Sequence, residues 1–281
     1  MTEKTFTASA ALPTTAYITS HVGQVTVTVN PNLKTAQVKV HTADTEGPLA
    51  EAVSNTTITE SAAGHETHVN INVPKGSLGG NSGSTVVQVG GNRFSFNGGV
   101  VNTGTMTGVT ISNGDVWVGG RQVVSGGRVV AEQGAVVSGG GHGTITVEVQ
   151  LPADSSVDLQ TTSADLSITG GVNHLRFHTV SGDINAQGVR KLSGNSTSGD
   201  VVVRHVNESV SVSSVSGDIE IDAYSGNSFS ANTVSGDLDL TATPHATGSV
   251  NVSSVSGDVT TRGAGHLAVR PSTVSGRVRN R

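Results

Sequence analysis

The sequence predicts an all-β fold, a parallel β-solenoid in which similar coils of chain stack on one another. A short phrase, in most copies Thr or Ser followed by Val or Thr, Ser, Gly and Asp, recurs through the C-terminal half. Its aspartates lie 18, 17, 18, 19 and 21 positions apart. Alternating apolar and polar residues flank each copy, and no long segment has helical periodicity. A fixed period of this size is typical of stacked repeats, and alternation is typical of half-buried strands.

The recurring phrase predicts a bend in every coil. Glycine adopts a positive φ at little cost, and Ser and Asp side chains accept hydrogen bonds from nearby backbone N–H groups. We therefore expect each aspartate to bond the backbone at its own bend. The predicted structural turn ladder consists of Asp165, Asp183, Asp200, Asp218, Asp237 and Asp258 with Gly182, Gly199, Gly217, Gly236, Gly257 and Gly276.

The phase of the alternation also predicts which side chains fill the interior. Counting from Val210 and Val212, the next inward position is Ser214, yet the apolar residue is Val215. We interpret this as a slip of one residue at a corner of the coil. The predicted core ladder is Val180, Val215, Val234, Val255 and Val274.

Three regions follow from these patterns. Residues 1–77 are rich in alternating strands and are expected to form imperfect first rungs or a cap, with one short helical turn at Pro48–Ser54. Residues 78–143 are a Gly-rich insertion with short β runs, expected to be ordered hairpins or short rungs rather than a flexible linker. Residues 144–281 hold the regular solenoid repeats.

The composition excludes several functional classes. The chain has no cysteine, so disulfides and thiol chemistry are absent. Its net charge of −5 and its aromatic content of 3% argue against nucleic-acid binding. Since neither a signal peptide nor a transmembrane helix is visible, a cytoplasmic location is expected, with export by another route left open.

The aspartate column is the most suggestive chemical feature. A row of carboxylates is able to bind Ca²⁺, but the nine-residue, glycine-dense unit of calcium-binding solenoids is missing. We predict turn bonding instead, with no metal, cofactor or catalytic residue. Histidine pairs at His65 with His68 and at His174 with His178 are expected to be solvated.

Two further alternatives depend on surface columns. A polysaccharide-active enzyme would need clustered acid and base groups and aromatic platforms, which the repeats lack. An ice-binding surface would use two hydroxyl columns, one of Thr179, Ser196, Ser214, Thr233, Ser254 and Thr273, and the other of Ser181, Ser198, Ser216, Ser235, Ser256 and Ser275.

The repeated Ser-Gly-Asp phrase, with strands that end in proline at Pro74 and Pro152, resembles the bacterial putative-adhesin family of β-strand-repeat proteins of unknown function. The resemblance covers residues 144–278 and extends to 17–77, while the Gly-rich insertion departs from the pattern. It implies a right-handed, single-stranded β-helix, and it implies no enzymatic activity.

We therefore expect a non-enzymatic scaffold, interaction or self-assembly module, with an adhesive or glycan-binding module as the alternative. A protein partner or another copy is expected to contact the Gly-rich insertion or the solenoid ends. At the C-terminal rung, Arg277, Arg279 and Arg281 replace acidic residues. They are expected either to block stacking of strand edges or to dock an acidic partner.

Overall fold

In the computed structural model, residues 1–75 and 144–281 are described, together with the backbone of eight short strands between them. The chain divides into two compact units, Met1–Gly76 with Gly143–Arg281, and Ser77–His142. The predicted fold class is confirmed, because the first unit is an all-β solenoid with strand-rich N-terminal residues.

The N-terminal residues alternate between buried and outward positions, as expected for strands with one buried face. The predicted helical turn is present, with proline in its first turn and three buried side chains, Ala50, Ala52 and Val53. The elements are β1 (Thr2–Thr7), β2 (Thr14–Ser20), β3 (Gln24–Val29), β4 (Gln37–Thr42), α1 (Pro48–Ser54), β5 (Thr57–Ala63) and β6 (Glu66–Val73).

The second unit contains two four-stranded antiparallel sheets. The sequence-based predictions of short rungs and of a contact surface in this segment depend on residues outside those described. The strands are β7 (Thr85–Val89), β8 (Asn92–Asn97), β9 (Val100–Asn102), β10 (Val109–Ser112), β11 (Asp115–Val118), β12 (Arg121–Ser125), β13 (Arg128–Val129) and β14 (Val136–Ser138).

The regular repeats form the rest of the first unit. Three of their strands are long enough to run through both faces of one rung. The strands are β15 (Thr146–Leu151), β16 (Ser156–Thr161), β17 (Asp165–Thr179), β18 (Ile184–Ser196), β19 (Val201–Ser213), β20 (Ile219–Tyr224), β21 (Ser228–Thr233), β22 (Leu238–Ala242), β23 (Ser249–Ser254), β24 (Val259–Arg262), β25 (Ala268–Thr273) and β26 (Val278–Asn280).

Each rung contributes one strand segment to each of two faces, which we name face A and face B. Face A holds, in order, β1, β4, β15, β3, the first parts of β17, β18 and β19, then β20, β22, β24 and β26. Face B holds β5, β6, β2, β16, the second parts of β17, β18 and β19, then β21, β23 and β25. From β15 on face A and from β6 on face B onward, neighbouring strands are parallel, whereas the pairs β1–β4, β4–β15 and β5–β6 are antiparallel.

The core lies between the two faces as vertical columns of aligned side chains. A coil buries its apolar face only against the coil above and below, so these columns hold the stack together. On face A one column is Leu166, Ile184, Val201, Ile219, Leu238 and Val259. On face B another is Leu175, Leu192, Val210, Phe229, Val250 and the partly buried Val269.

The predicted core ladder is wrong. Val180, Val215, Val234 and Val255 are 43–47% exposed, and Val274 is 82% exposed. These valines are aligned in a file, as predicted, but the file lies on the outer surface.

The reason is that the alternation does not slip before the valine. In the fourth regular rung the inward positions run through Val212 to Ser214, which is buried. The chain then turns, so Val215 and Ser216 both face outward, and Gly217 returns to the interior. The two consecutive outward residues, Val215 and Ser216, form the corner. The inward position predicted for Val215 is occupied by Ser214.

Strands of the N-terminal residues pair with strands of the regular repeats. β2 pairs in parallel with β16, and β3 pairs in parallel with β17, as later rungs do with each other. The helix α1 contacts β1 and β4, and its Ala52 and Val53 belong to the common core.

Large and small side chains compensate each other inside the stack. Gly194 follows Phe177 in one face B column, and a Cβ at Gly194 would lie 2.6 Å from the Phe177 ring. Two rungs further on, the buried rings of Tyr224 and Phe229 pack edge to face, with centroids 5.2 Å apart.

The hydroxyl of Tyr224 is buried, and it lacks a hydrogen-bond partner among the described residues. Burial raises the pKa of Tyr224 to about 12. The backbone N–H of Ser228 opposes this shift without completing a bond of normal geometry.

We predict that Tyr224→Phe raises the free energy of unfolding by about 1 kcal/mol, because it removes an unsatisfied buried donor. Because the pKa of Tyr224 is about 12 in the folded state and near 10 in the unfolded state, the wild-type protein keeps its full stability below pH 10. It loses stability as pH rises from 10 to 12, since only the unfolded state then ionises. Urea denaturation at pH 8 and 11 measures both effects, and the Phe variant should lose less stability between these pH values. Tyr17→Phe, on the outer surface, is the control. A destabilised Tyr224→Phe variant at pH 8 would show that the hydroxyl is satisfied.

Candidate functional site

The turn corner is the bend between face B and face A that the recurring phrase builds in each rung. Its first residue, a buried Ser or Thr, accepts a hydrogen bond from the backbone N–H of the glycine three positions later. Oxygen to nitrogen distances are 2.9 Å at Ser196 and Gly199, and 2.9 Å at Ser214 and Gly217. Because a buried N–H needs a partner, this bond explains why a hydroxyl residue occupies an inward position.

The same observation narrows the ice-binding alternative to one of its two hydroxyl columns. The column Ser181, Ser198, Ser216, Ser235, Ser256 and Ser275 faces outward, so the alternative stays a prediction for that column. In the other column, Thr179, Ser196, Ser214, Thr233 and Ser254 are 1–6% exposed. Their hydroxyls already bond turn glycines of their own or the preceding rung.

The turn glycines are required for space rather than for a positive φ. None of the six has a left-handed φ, which corrects the sequence-based reason for them. A Cβ at Gly236 would lie 2.1 Å from the carbonyl oxygen of Gly217 in the preceding rung, and the other five would meet an equivalent carbonyl oxygen at 2.0–2.1 Å. Ala164 takes this place in the first regular rung, where the Gly23 carbonyl instead accepts the Asp165 N–H.

The aspartates form a ladder between rungs. Oδ1 of Asp200 accepts the backbone N–H of Asp218 at 2.9 Å, and Oδ1 of Asp218 accepts the N–H of Asp237 at 2.7 Å. The prediction that each carboxylate bonds its own bend is therefore wrong, because its partner is the backbone N–H of the next rung. The same bond repeats at every step from Asp165 to Asp258. At the last step, Oδ1 of Asp258 accepts the backbone N–H of Arg277.

The second oxygen of these carboxylates is not used by the ladder. In the last rung, Arg279 lies 3.6 Å from Oδ2 of Asp258. Among the described residues, no group of three or more His, Asp or Glu side chains is placed to hold a metal ion. The calcium hypothesis stays an untested alternative.

A polar cluster that the sequence reasoning missed lies on the outer side of face B. Asp158 and Arg176 are neighbours in register, with Oδ2 and Nη1 4.0 Å apart. Burial raises the pKa of Asp158, and the Arg176 charge opposes that shift. His174 Nε2 lies 3.1 Å from Ser193 Oγ, and burial lowers the pKa of this histidine.

The cluster could have been found from the repeat spacing, because His174 and Ser193 are 19 positions apart, one rung. His174, predicted to be solvated beside His178, is instead half-buried and contacts Ser193. A histidine beside a serine is also found in nucleophilic catalysis, where a third group orients the histidine. Here the carboxylate of Asp158 faces Arg176 instead, so the arrangement does not form such a triad.

The opposite corner, where face A returns to face B, contains a shallow depression that we name the loop groove. Its volume is about 620 Å³, and its lining residues come from four successive rungs. Its rim includes the ion pair of Arg190 and Glu208, with Nε and Oε2 2.9 Å apart. The hydrogen bond and charge of Lys191 lower the pKa of Glu208, and Arg190 adds to this effect. The lining residues are Asp154, Gly171, Val172, Asn173, Gly188, Val189, Arg190, Asn207 and Glu208.

Within the described ranges, no helix is both long and apolar enough to cross a membrane.

Comparison with known proteins gives a family match and two distant structural matches. The family model described as Toastrack DUF4097 matches residues 137–280, slightly more than half of the 281-residue chain. No curated protein matches the chain.

The structural matches are a putative cell adhesion protein from Clostridium sporogenes and a putative adhesin from Parabacteroides distasonis. Each has 10% sequence identity, and the alignments cover 99% of this chain and 97% of the other. The TM-scores are 0.38 and 0.37.

We predict that Gly236→Ala lowers the free energy of unfolding by about 3 kcal/mol, since the new methyl group meets a backbone carbonyl that is fixed by the stack. Chemical denaturation measures the loss. Gly265→Ala is the matched control, because nothing lies within 4 Å of a Cβ there. Equal stabilities of the two variants would contradict the close approach of neighbouring turns.

We further predict that Asp218→Ala lowers the free energy of unfolding by about 1–2 kcal/mol, because the Asp237 N–H loses a charged acceptor. Asp218→Asn keeps an oxygen in place and should cost less. The exposed Asp222 lies on the same face outside the ladder, so Asp222→Ala should change stability little. If Asp222→Ala were as destabilising as Asp218→Ala, the ladder bond would contribute nothing specific.

Proposed function

The chain belongs to the Toastrack DUF4097 family, and from the geometry of its turn corner we propose that it is a non-enzymatic interaction module that binds a polypeptide there. The family is one of unknown function, so the proposal depends on this chain's own surface.

The observation that carries the proposal is the exposed valine column. Among the described residues, eight large apolar side chains are exposed, and five of them are Val180, Val215, Val234, Val255 and Val274. The spacing of paired strands places successive rungs, and so successive members of the column, about 4.8 Å apart. Between Val180 and Val215, Thr197 occupies the equivalent position. Apolar side chains that are concentrated in one file, rather than scattered, indicate a contact surface.

The aspartate ladder runs beside the valine column and defines the charge of the partner. Each ladder carboxylate uses Oδ1 for the next rung, and Oδ2 of Asp183, Asp200, Asp218 and Asp237 stays open to a ligand within the described part of the chain. A complementary partner therefore presents apolar side chains bordered by Lys or Arg.

The spacing favours an amphipathic helix as this partner. A helix rises about 5.4 Å per turn, and the rungs repeat about every 4.8 Å. Over four rungs the mismatch is about 2 Å, so one apolar side chain per turn stays close to one valine. The carboxylates would repel the phosphates of a nucleic acid, which agrees with the composition.

No catalytic residue is assigned, because the repeated carboxylates have a structural partner in the next rung. A cytoplasmic location stays a prediction from the sequence. A role for the Gly-rich insertion or the solenoid ends in binding also stays a prediction. The alternative function, a glycan-binding or adhesive module, is favoured by a different feature, the loop groove.

The test replaces the four valines from Val215 to Val274 by threonine, which already occupies this position at Thr162 and Thr197. The probe is an 18-residue helical peptide with a leucine stripe bordered by lysines, and fluorescence anisotropy measures its affinity. The variant should bind at least about tenfold more weakly, since it loses apolar contact in four rungs. Val202→Thr, on the outer side of face A, is the control.

A peptide with glutamates in place of lysines should not bind the wild type. Equal affinity of the wild type and the fourfold variant for the lysine peptide would overturn the proposal, and so would binding of the glutamate peptide. Light scattering of the protein alone identifies another copy as the partner if self-association is present and is lost in the same variant.

A further inference from the structure

The loop groove has a floor without side chains. Gly171 and Gly188 lie in register on adjacent rungs, and nothing lies within 4 Å of a Cβ built on Gly171. A Cβ on Gly188 would make only ordinary contacts, the nearest being Gly171 Cα at 3.6 Å. Unlike the turn glycines, these two are not required by packing. Their effect is to open backbone surface to a ligand, which is a recognised use of glycine.

The rim of the groove offers hydrogen-bond acceptors on one side. Asn173 donates its Nδ2 to the Asp154 carbonyl at 2.9 Å, which fixes the amide and leaves its Oδ1 as an acceptor. The Asp154 carboxylate is exposed and has no bond or ion pair within the described part of the chain. Asp154 is held by an unusual backbone, with φ of 59°.

The other side of the rim offers donors. The Nε of Arg190 is engaged by Glu208, so its terminal guanidinium nitrogens are available, and the Asn207 amide is exposed. Both carboxylate oxygens of Glu208 are therefore engaged, because Lys191 Nζ lies 3.0 Å from Oε1. The Arg190 guanidinium is therefore held in place by an ion-pair network.

The charges around the groove decide the class of ligand. Asp154 and Glu208 balance Arg190 and Lys191, so neither a phosphate nor a metal cation meets a matching excess of charge. No aromatic side chain lines it to stack on a nucleobase. The groove has hydrogen-bond donors on one side, acceptors on the other and a flat floor. A neutral ligand with hydroxyl groups suits this arrangement, because each hydroxyl both donates and accepts a hydrogen bond.

We propose that the loop groove is a binding site for one or two units of a neutral glycan, with Asp154, Asn173, Arg190 and Asn207 as hydrogen-bonding residues. Its volume of about 620 Å³ is within the range of small-molecule sites. The groove is open and lacks an aromatic platform, so the affinity is expected to be millimolar. The site does not depend on the valine column at the opposite corner.

The experiment fills the floor by Gly171→Leu, a change that the open space above Gly171 allows without disturbing the core. Hexasaccharides of glucose, xylose and N-acetylglucosamine are titrated against the labelled full-length protein by NMR. We expect at least one hexasaccharide to shift the resonances of Asn173 and Asn207. Gly171→Leu should weaken this binding at least about tenfold, because the leucine side chain occupies the space that the ligand needs. Gly265→Leu, at another position with open space, is the matched control and should bind as the wild type does.

Absence of binding by all three hexasaccharides, or equal binding by Gly171→Leu and wild type, would overturn the proposal. Preference for oligogalacturonate or chitosan oligomers would also overturn it, since the groove carries balanced charge. The fourfold threonine variant of the valine column should bind the hexasaccharide unchanged, so this proposal and the polypeptide proposal fail independently.

Discussion

The close approach of backbone at the turn corner is the constraint on which the solenoid depends. In each rung the glycine lies so near the carbonyl of the rung before it that there is no room for a side chain. Strand pairing sets the rung spacing to about 4.8 Å, and the corner must keep the same spacing although it is not a strand. At the corner, the hydroxyl-to-glycine bond and the aspartate ladder satisfy backbone N–H groups, as strand hydrogen bonds do on the two faces. Buried apolar columns then add their stabilisation rung by rung.

The structural role of the inward residues determines which side chains remain on the surface for recognition. Inward positions are occupied by apolar residues and by turn residues, so the repeated phrase is first a structural device. What is left for recognition is the part of each repeat that points outward, and stacking turns each such residue into a column. Where the repeat is regular, as at the valines, the surface is a long uniform strip. Where it is irregular, as at Gly171 and Gly188, a local depression forms.

The sequence predicts the architecture well because period and alternation report directly on stacking and on strands. It predicts the solenoid, which is confirmed, and a helical turn at Pro48–Ser54, which is present. The side to which Val215 points could not be predicted from hydrophobicity, because the corner exchanges the usual places of hydroxyl and apolar residues. The signal was present in the spacing, since a Ser or Thr three positions before glycine recurs in each rung.

The groove and the cluster around Asp158 were harder to predict. Their residues lie in the variable loops and on the strand backs, where no repeated pattern identifies them. His174 and Ser193 meet only because one rung intervenes, and Gly171 and Gly188 open a groove only because the register aligns them. Both features follow from the exact number of residues in each turn of the coil.

The aspartate ladder has a polarity that bears on how the chain folds. Every carboxylate receives its N–H from the rung that follows it in sequence, never from the one before. A completed rung thus displays a ready acceptor toward the segment that emerges next during synthesis, while α1 covers the core near β1 and β4. This polarity favours assembly from the Asp165 rung toward the C-terminal rung, because each carboxylate is already in the chain when the N–H that it accepts is synthesised.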